Sequence, residues 1–233
     1  DDEFLKAPLS FNPGSAWEYG IGIDWLGVLV EKISDMTLQD YMKHNIFNPL
    51  GMADTSYDVP KEKNERLVKV HGRNGEEYFE MPFDPPEKSD FYSGGGNLVS
   101  TLSDYSSFLT MFLNKGKSSE GRILKETSVD LMLSSHTGKL LMTNMQTSAP
   151  ILSNNVDFFP ETEKSWGLGF MINNDDIENG RPKGSAGWAG LFNSFFWIDP
   201  KNKIAAIVLM QMLPFVEEGC LKTLKDFEKS IYS

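Results

Sequence analysis

Cysteine is almost absent from this chain. The single residue, Cys220, excludes an internal disulfide and a cysteine-based zinc cluster, and it fits a reducing compartment such as the cytoplasm without fixing one. Three histidines, His44, His71 and His136, are scattered and form no His-Glu-x-x-His pattern, so no metal site is expected. Cations are scarce as well: 22 Lys and Arg against 33 Asp and Glu leave a net charge of -11. Phosphate backbones and anionic lipid surfaces bind clustered cations, which argues against nucleic acid or an acidic membrane surface as partner. No apolar run approaches the ~18 residues of a membrane span. No leader pattern opens the chain, which begins at Asp1 rather than Met and is expected to be part of something longer. Two nucleophile signatures are also missing. No serine is followed three residues later by lysine, and there is no Gly-x-Ser-x-Gly elbow.

What is present is ordinary globular material, 40% hydrophobic and 24% charged over 233 residues, enough for a sizeable core. The expected organisation is one incomplete α+β domain over residues 1–233. About 1–165 would be helices and loops, and about 166–233 an antiparallel sheet packed by a C-terminal helix. Asp1–Ser10 reads as an irregular lead-in. Ile23, Leu26, Val30 and Ile33 recur at helical spacing, widened by Trp25, Val28 and Leu29, and predict a buried helix from Ile23. Thr37 with Asp40 three residues on opens a second helix that Asn48-Pro49 should stop. Val59–Pro86 reads as loops with a short hairpin. Thr101 with Asp104 caps a helix to about Asn114, and another covers about Glu126–Ser134. Leu140–Glu163 is polar and weakly patterned, as expected of a mobile loop over a site. Trp166–Asn173 and Gly184–Gly190 read as strands, and Phe195–Asp199 and Lys203–Met210 as a hairpin. Val216–Tyr232 carries Leu221, Leu224, Phe227 and Ile231 on one helical face. Within the hairpin, Ile204–Met210 is apolar without alternation, which predicts a strand buried on both faces with a neighbour on each side.

The most informative stretch is Phe11–Gly27, FNPGSAWEYGIGIDWLG, in which Tyr19 sits on a tight loop at the mouth of the first helix. Further motifs follow in order: Asn48-Pro49-Leu50-Gly51-Met52, then Gly94-Gly95-Gly96-Asn97-Leu98-Val99-Ser100-Thr101 with Asp104, then Trp166-Gly167-Leu168-Gly169-Phe170. The last is Gly187-Trp188-Ala189-Gly190, followed by Trp197-Ile198-Asp199-Pro200. In their order and spacing these residues resemble the serine β-lactamase and penicillin-binding-protein-like superfamily. The resemblance is to its class C-like esterases and acyltransferases, a branch that includes family VIII carboxylesterases and the fungal statin-pathway acyltransferase.

That resemblance implies a β-lactamase/transpeptidase-like fold and acyl transfer through a Ser-x-x-Lys nucleophile, a tyrosine motif and a third motif on a strand. Tyr19 matches the tyrosine that carries a proton between serine and leaving group. A phenol ionises near pH ~10, so this chemistry needs a neighbouring cation. Ile21 stands where Tyr-x-Asn members have an amide. Trp188, Ala189 and Gly190, with Gly187 before them, match the third motif in its esterase-like form, and the Leu191 N–H would supply half the oxyanion hole. Loss of a lysine there points to esters or thioesters, a small-molecule acyl substrate, with no cofactor. The nucleophile is expected upstream, outside this chain. Two alternatives stay open: a non-catalytic binding or assembly protein, and one subunit of a two-chain enzyme completed by the missing N-terminal segment as a separate chain. His136-Thr137-Gly138-Lys139 imitates a third motif but reads better as a solvated helix end. Asn173–Asp176 lacks calcium-loop spacing and reads as a polar turn. Gly94–Gly96 reads as packing and turn geometry rather than a phosphate loop.

Overall fold

The computed structural model describes residues 6–83 and 85–233, so residues 1–5 of the expected lead-in and Asp84 within the Val59–Pro86 segment lie outside the described residues. The chain divides into two compact units. One holds the described residues of Asp1–Leu67 and Asp84–Glu126, the other Val68–Phe83 and Thr127–Ser233.

The first unit is helical. Helix α1 (Gly22–Ser34) follows the predicted spacing and ends where Asp35 turns left-handed at φ 56° and donates its N–H to Glu31. Its predicted burial is not observed. Only Gly27 is buried, whereas Trp25, Leu26, Leu29 and Ile33 are 50–77% exposed, because no described element covers that face. Helix α2 (Leu38–Met42) is capped by the Thr37 hydroxyl, which accepts the Asp40 N–H at 3.1 Å. A π-helical turn (Lys43–Phe47) carries it into α3 (Asn48–Leu50), so Asn48-Pro49 does not stop the helix. Pro49 follows a π-helical turn, in which the Asn48 N–H already reaches five residues back to the Lys43 carbonyl, so the regular ladder that proline would break is shifted before it. The stop falls at Gly51, left-handed at φ 69°. A 3-10 turn spans Lys61–Arg66. Helix α4 (Leu102–Leu113) is capped by Thr101 as predicted. Its Asp104 carboxylate also accepts the Asp54 N–H at 2.7 Å and the Thr55 hydroxyl at 2.9 Å, tying the loop after α3 to the helix.

The second unit is built on sheets. After α5 (Glu126–Met132) come β3 (Lys164–Trp166), β4 (Met171–Asn173), β5 (Ala186–Gly190), β6 (Ser194–Asp199) and β7 (Ile204–Val208), antiparallel neighbours in that order. The single strand predicted over Trp166–Asn173 is two strands. Gly167 donates to the Phe170 carbonyl and Gly169 takes φ 96°, so the chain reverses between them. Gly167 has no room for a side chain there, since a Cβ would meet the Met132 carbonyl oxygen at 2.5 Å. The hairpin expected before Pro86 is β1 (Val70–Asn74) with β2 (Glu77–Met81), and β8 (Met212–Leu213) adds to β1 in parallel.

Helix α6 (Glu218–Tyr232) buries Cys220, Leu224 and Glu228, a face rotated from the expected Leu221–Leu224–Phe227–Ile231 stripe. The reason is Arg181, whose guanidinium donates to both Glu228 oxygens at 2.7 and 2.8 Å while stacking 4.2 Å from the Trp197 ring centroid. Strand β7 also departs from expectation. It lies at the sheet edge, pairs with β6 alone among the described residues, and leaves Ile204, Ile207 and Val208 half-buried.

Candidate active site

Tyr19 occupies the loop entering α1 and is 43% exposed, so its ring is not consumed by the core. Ile21, 37% exposed, is the N-cap residue of α1 and accepts the Trp25 N–H through its carbonyl at 3.2 Å. The side chain that a Tyr-x-Asn member would use for an amide is here a surface-facing isoleucine with nothing to donate. Both residues belong to the first unit.

The remaining predicted residues belong to the second unit and lie along one strand and its turn. Exposure rises along β5: Ala186 and Gly187 are buried, Trp188 and Ala189 half-buried, Gly190 exposed, and Leu191 begins the turn to β6. Gly187 is required by packing. A Cβ there would stand 2.4 Å from the Phe196 carbonyl oxygen and 3.2 Å from Arg181 Nη1. At Gly190 a Cβ would meet only Ser194 Cβ at 3.7 Å, so the strand surface is open at that point. Trp188 is held edge-on by Trp166, centroids 4.5 Å apart, and by Phe158 at 5.9 Å. Such aromatic pairs contribute about 0.5–1.5 kcal/mol each beyond area burial. A narrow cavity of about 20 Å³ opens among Phe158, Trp188, Ala189 and Phe195. Its walls are mainly apolar and aromatic with the Arg181 guanidinium among them, and its volume is about that of a single water, too small to hold an acyl chain.

Phe158 is the residue here that sequence reasoning did not single out. It lies in the Leu140–Glu163 segment, which is pinned by bridges from Met145 to Val156 and from Ser153 to Phe215. The next residue, Phe159, has φ 53°, and its carbonyl accepts three donors: the Thr162 N–H and hydroxyl, and the buried Lys164 ammonium at 2.9 Å. A lysine at the start of a strand was the available signal, and composition alone does not show that it turns inward.

Other reactive groups are occupied structurally. Burial pushes the Cys220 thiol up to about 11, and Glu217 beside it opposes ionisation further, so the lone cysteine is no substitute nucleophile. Burial also pushes the Tyr92 phenol up to about 12, with its hydroxyl given to Asp58 at 3.0 Å. His136 lies 2.8 Å from the Leu131 carbonyl at the end of α5, as its helix-end reading requires. Asp175 and Asp176 accept the Glu163 and Lys183 N–H groups, and no group of residues suited to a metal ion occurs among the described residues.

A model of the beta-lactamase family matches residues 1–229, and the chain belongs to that family. Its helices and C-terminal antiparallel sheet form the α+β fold of the family's solved neighbours. Among curated proteins it is 29% identical to the lovastatin esterase of Penicillium rubens, over 99% of this chain and 59% of that protein. It is 27% identical to a monacolin J acid methylbutanoyltransferase of Aspergillus terreus, over 98% of this chain and 57% of the relative. Among solved structures, unliganded simvastatin synthase from Aspergillus terreus superposes with a TM-score of 0.81 at 26% identity, covering 98% of this chain and 57% of that one. The chain thus spans somewhat more than half the length of the relatives it matches. No helix among the described residues is long and apolar enough to cross a membrane.

Proposed function

We propose that this chain is the tyrosine- and third-motif-bearing part of a serine esterase or acyltransferase acting on ester or thioester substrates, with the Ser-x-x-Lys nucleophile lying outside it. The observation that carries the reading is the match, over 98–99% of the chain, to an esterase and an acyltransferase. In this reading the serine oxygen attacks the acyl carbonyl, and its proton passes through the Tyr19 oxygen to the departing alkoxide or thiolate. The negative carbonyl oxygen is met by the Leu191 N–H and by the nucleophile's own N–H. Collapse gives an acyl-serine and a free alcohol or thiol. Water or an acceptor alcohol then loses its proton along the same route and takes the acyl group. Trp188, Ala189 and Gly190 are the proposed lining for the acyl group, with Gly187 on the same strand and Ile21 at the tyrosine motif as further substrate-binding residues. Trp188 stands in the third motif where a cation would pair with the carboxylate of a β-lactam, which favours an ester or thioester substrate.

Ester hydrolysis by the full-length protein that carries this chain tests the reading. Tyr19→Phe is expected to lower kcat on a short-chain p-nitrophenyl ester by about 10²-fold or more, the range of a lost general base. Unchanged turnover removes Tyr19 from the mechanism. A full-length protein without Ser-x-x-Lys and without turnover establishes the non-catalytic alternative instead. Activity that appears only when this chain is mixed with a separate N-terminal chain establishes the two-chain alternative.

A further inference from the structure

Gly94 and Gly95 press on the first turn of α1 at Ile23 and Asp24, four and five residues after Tyr19, within one compact unit. A Cβ on Gly94 would lie 2.3 Å from the Ile23 carbonyl oxygen, and one on Gly95 would lie 3.0 Å from the Asp24 carboxylate. Gly27, one turn further, is closed in by the Gly94 Cα at 3.4 Å from its own would-be Cβ. The contact is fastened by Asp24. Its Oδ1 accepts the Ser93 hydroxyl at 2.5 Å and the Gly95 N–H at 3.0 Å. The loop is held in turn from behind, because the Ser93 carbonyl accepts the buried Tyr57 hydroxyl at 2.6 Å and the Tyr92 hydroxyl reaches Asp58. An acid in a first helical turn ordinarily serves the helix's own N–H groups. Here it reaches across 69–71 residues of sequence instead.

We infer that Asp24 is a positioning residue for Tyr19: it pins the first turn of α1 to the Ser93–Gly95 loop and so fixes the loop that presents the phenol. The inference rests on the proposed role of Tyr19 and deepens it. Ile21 ends that loop and caps α1, so movement of the helix start is delivered to Tyr19 through two residues. A displacement of about 1 Å at a reacting group costs on the order of 10²-fold in rate, which is why a latch at the helix start matters.

The test is a double-mutant cycle in the full-length protein, read with amide hydrogen exchange. Asp24→Ala is expected to lower kcat for ester hydrolysis at least about tenfold with KM changed less than about threefold, and to speed exchange over residues 20–23. Asp24→Asn, which keeps the oxygen acceptor, recovers part of both. Ser93→Ala, which removes one donor without touching α1, gives a smaller change in the same direction and stands in should Asp24→Ala fail to fold. In a Tyr19→Phe background the Asp24→Ala loss in kcat disappears. An equal loss in both backgrounds, or unchanged exchange over residues 20–23, overturns the inference. Should Tyr19→Phe keep full activity, the proposed mechanism falls, and the exchange measurement alone decides whether Asp24 holds the loop.

Discussion

Asp54 carries the clearest charge relation at the scale of single residues. Arg66 grips both its oxygens, at 2.9 and 2.6 Å, and Lys63 adds a contact at 2.8 Å. These bonds, Arg66 first, hold the carboxyl well below the usual carboxylate range. With the folded carboxyl harder to protonate than the unfolded one, the unfolded chain binds the extra proton as pH falls below about 4. The contribution is therefore complete above that pH and is lost as pH falls through the depressed folded value. Asp54→Asn is expected to lower the thermal midpoint at pH 7 and to converge on the parent protein under strong acid. Added salt should narrow the neutral-pH gap, because these side chains are solvent-accessible. Midpoints measured from pH 7 down to about pH 2 check this, and a gap that stays constant with pH assigns the loss to packing.

The Arg181–Glu228 pair belongs to the scale of elements, since it joins the approach to β5 with α6. Both side chains are 4% exposed, Glu228 also accepts the Arg181 backbone N–H at 2.8 Å, and Phe159 and Trp197 flank the guanidinium. Glu228→Ala leaves a buried cation unpaired and is expected to cost about 3–5 kcal/mol in denaturant unfolding, whereas replacing both partners by apolar residues recovers most of it. A loss under about 1 kcal/mol would show water reaching the arginine. This pair also marks where sequence reading stops. Spacing along the chain located α1, α4, α6 and the β6–β7 hairpin, because helical and strand periods are local. The capping of α2 and α4 by Thr37 and Thr101 was legible for the same reason. No local pattern marks Glu228 as buried, because its partner is 47 positions away, and none shows Lys164 turning inward toward the Phe159 carbonyl. Trp166–Asn173 looked continuous because its two glycines fit a strand as readily as a turn. Family membership was legible from ordered motifs, which carried more than periodicity did. The latch at Asp24 was not, since an acid in a first turn has an ordinary local explanation.

Two surfaces matter at the scale of the whole molecule, one in each unit. Strand β7 is apolar on both faces, only partly buried, and unpaired along one edge among the described residues. Helix α1 shows Trp25, Leu26, Leu29 and Ile33 at 50–77% exposure. Soluble proteins blunt an open strand edge with charge, proline or a covering segment, and Ile204–Val208 contains none of the first two. The relatives are longer than this chain, so a covering segment from the rest of the protein is the proposed occupant of both surfaces. The 233 residues expressed by themselves are then expected to associate with rising concentration over about 1–100 μM, the range in which exposed edges pair. Ile207→Lys, which puts a charge on the edge strand, should reduce that association. In the full-length protein the same substitution would bury a lysine and lower the unfolding midpoint instead. Analytical ultracentrifugation of the isolated chain and its variant, and thermal unfolding of the full-length pair, separate the outcomes. If the isolated chain stays monomeric throughout and Ile207→Lys destabilises neither form, then the β7 edge is tolerated as an exposed edge and no completing strand is needed.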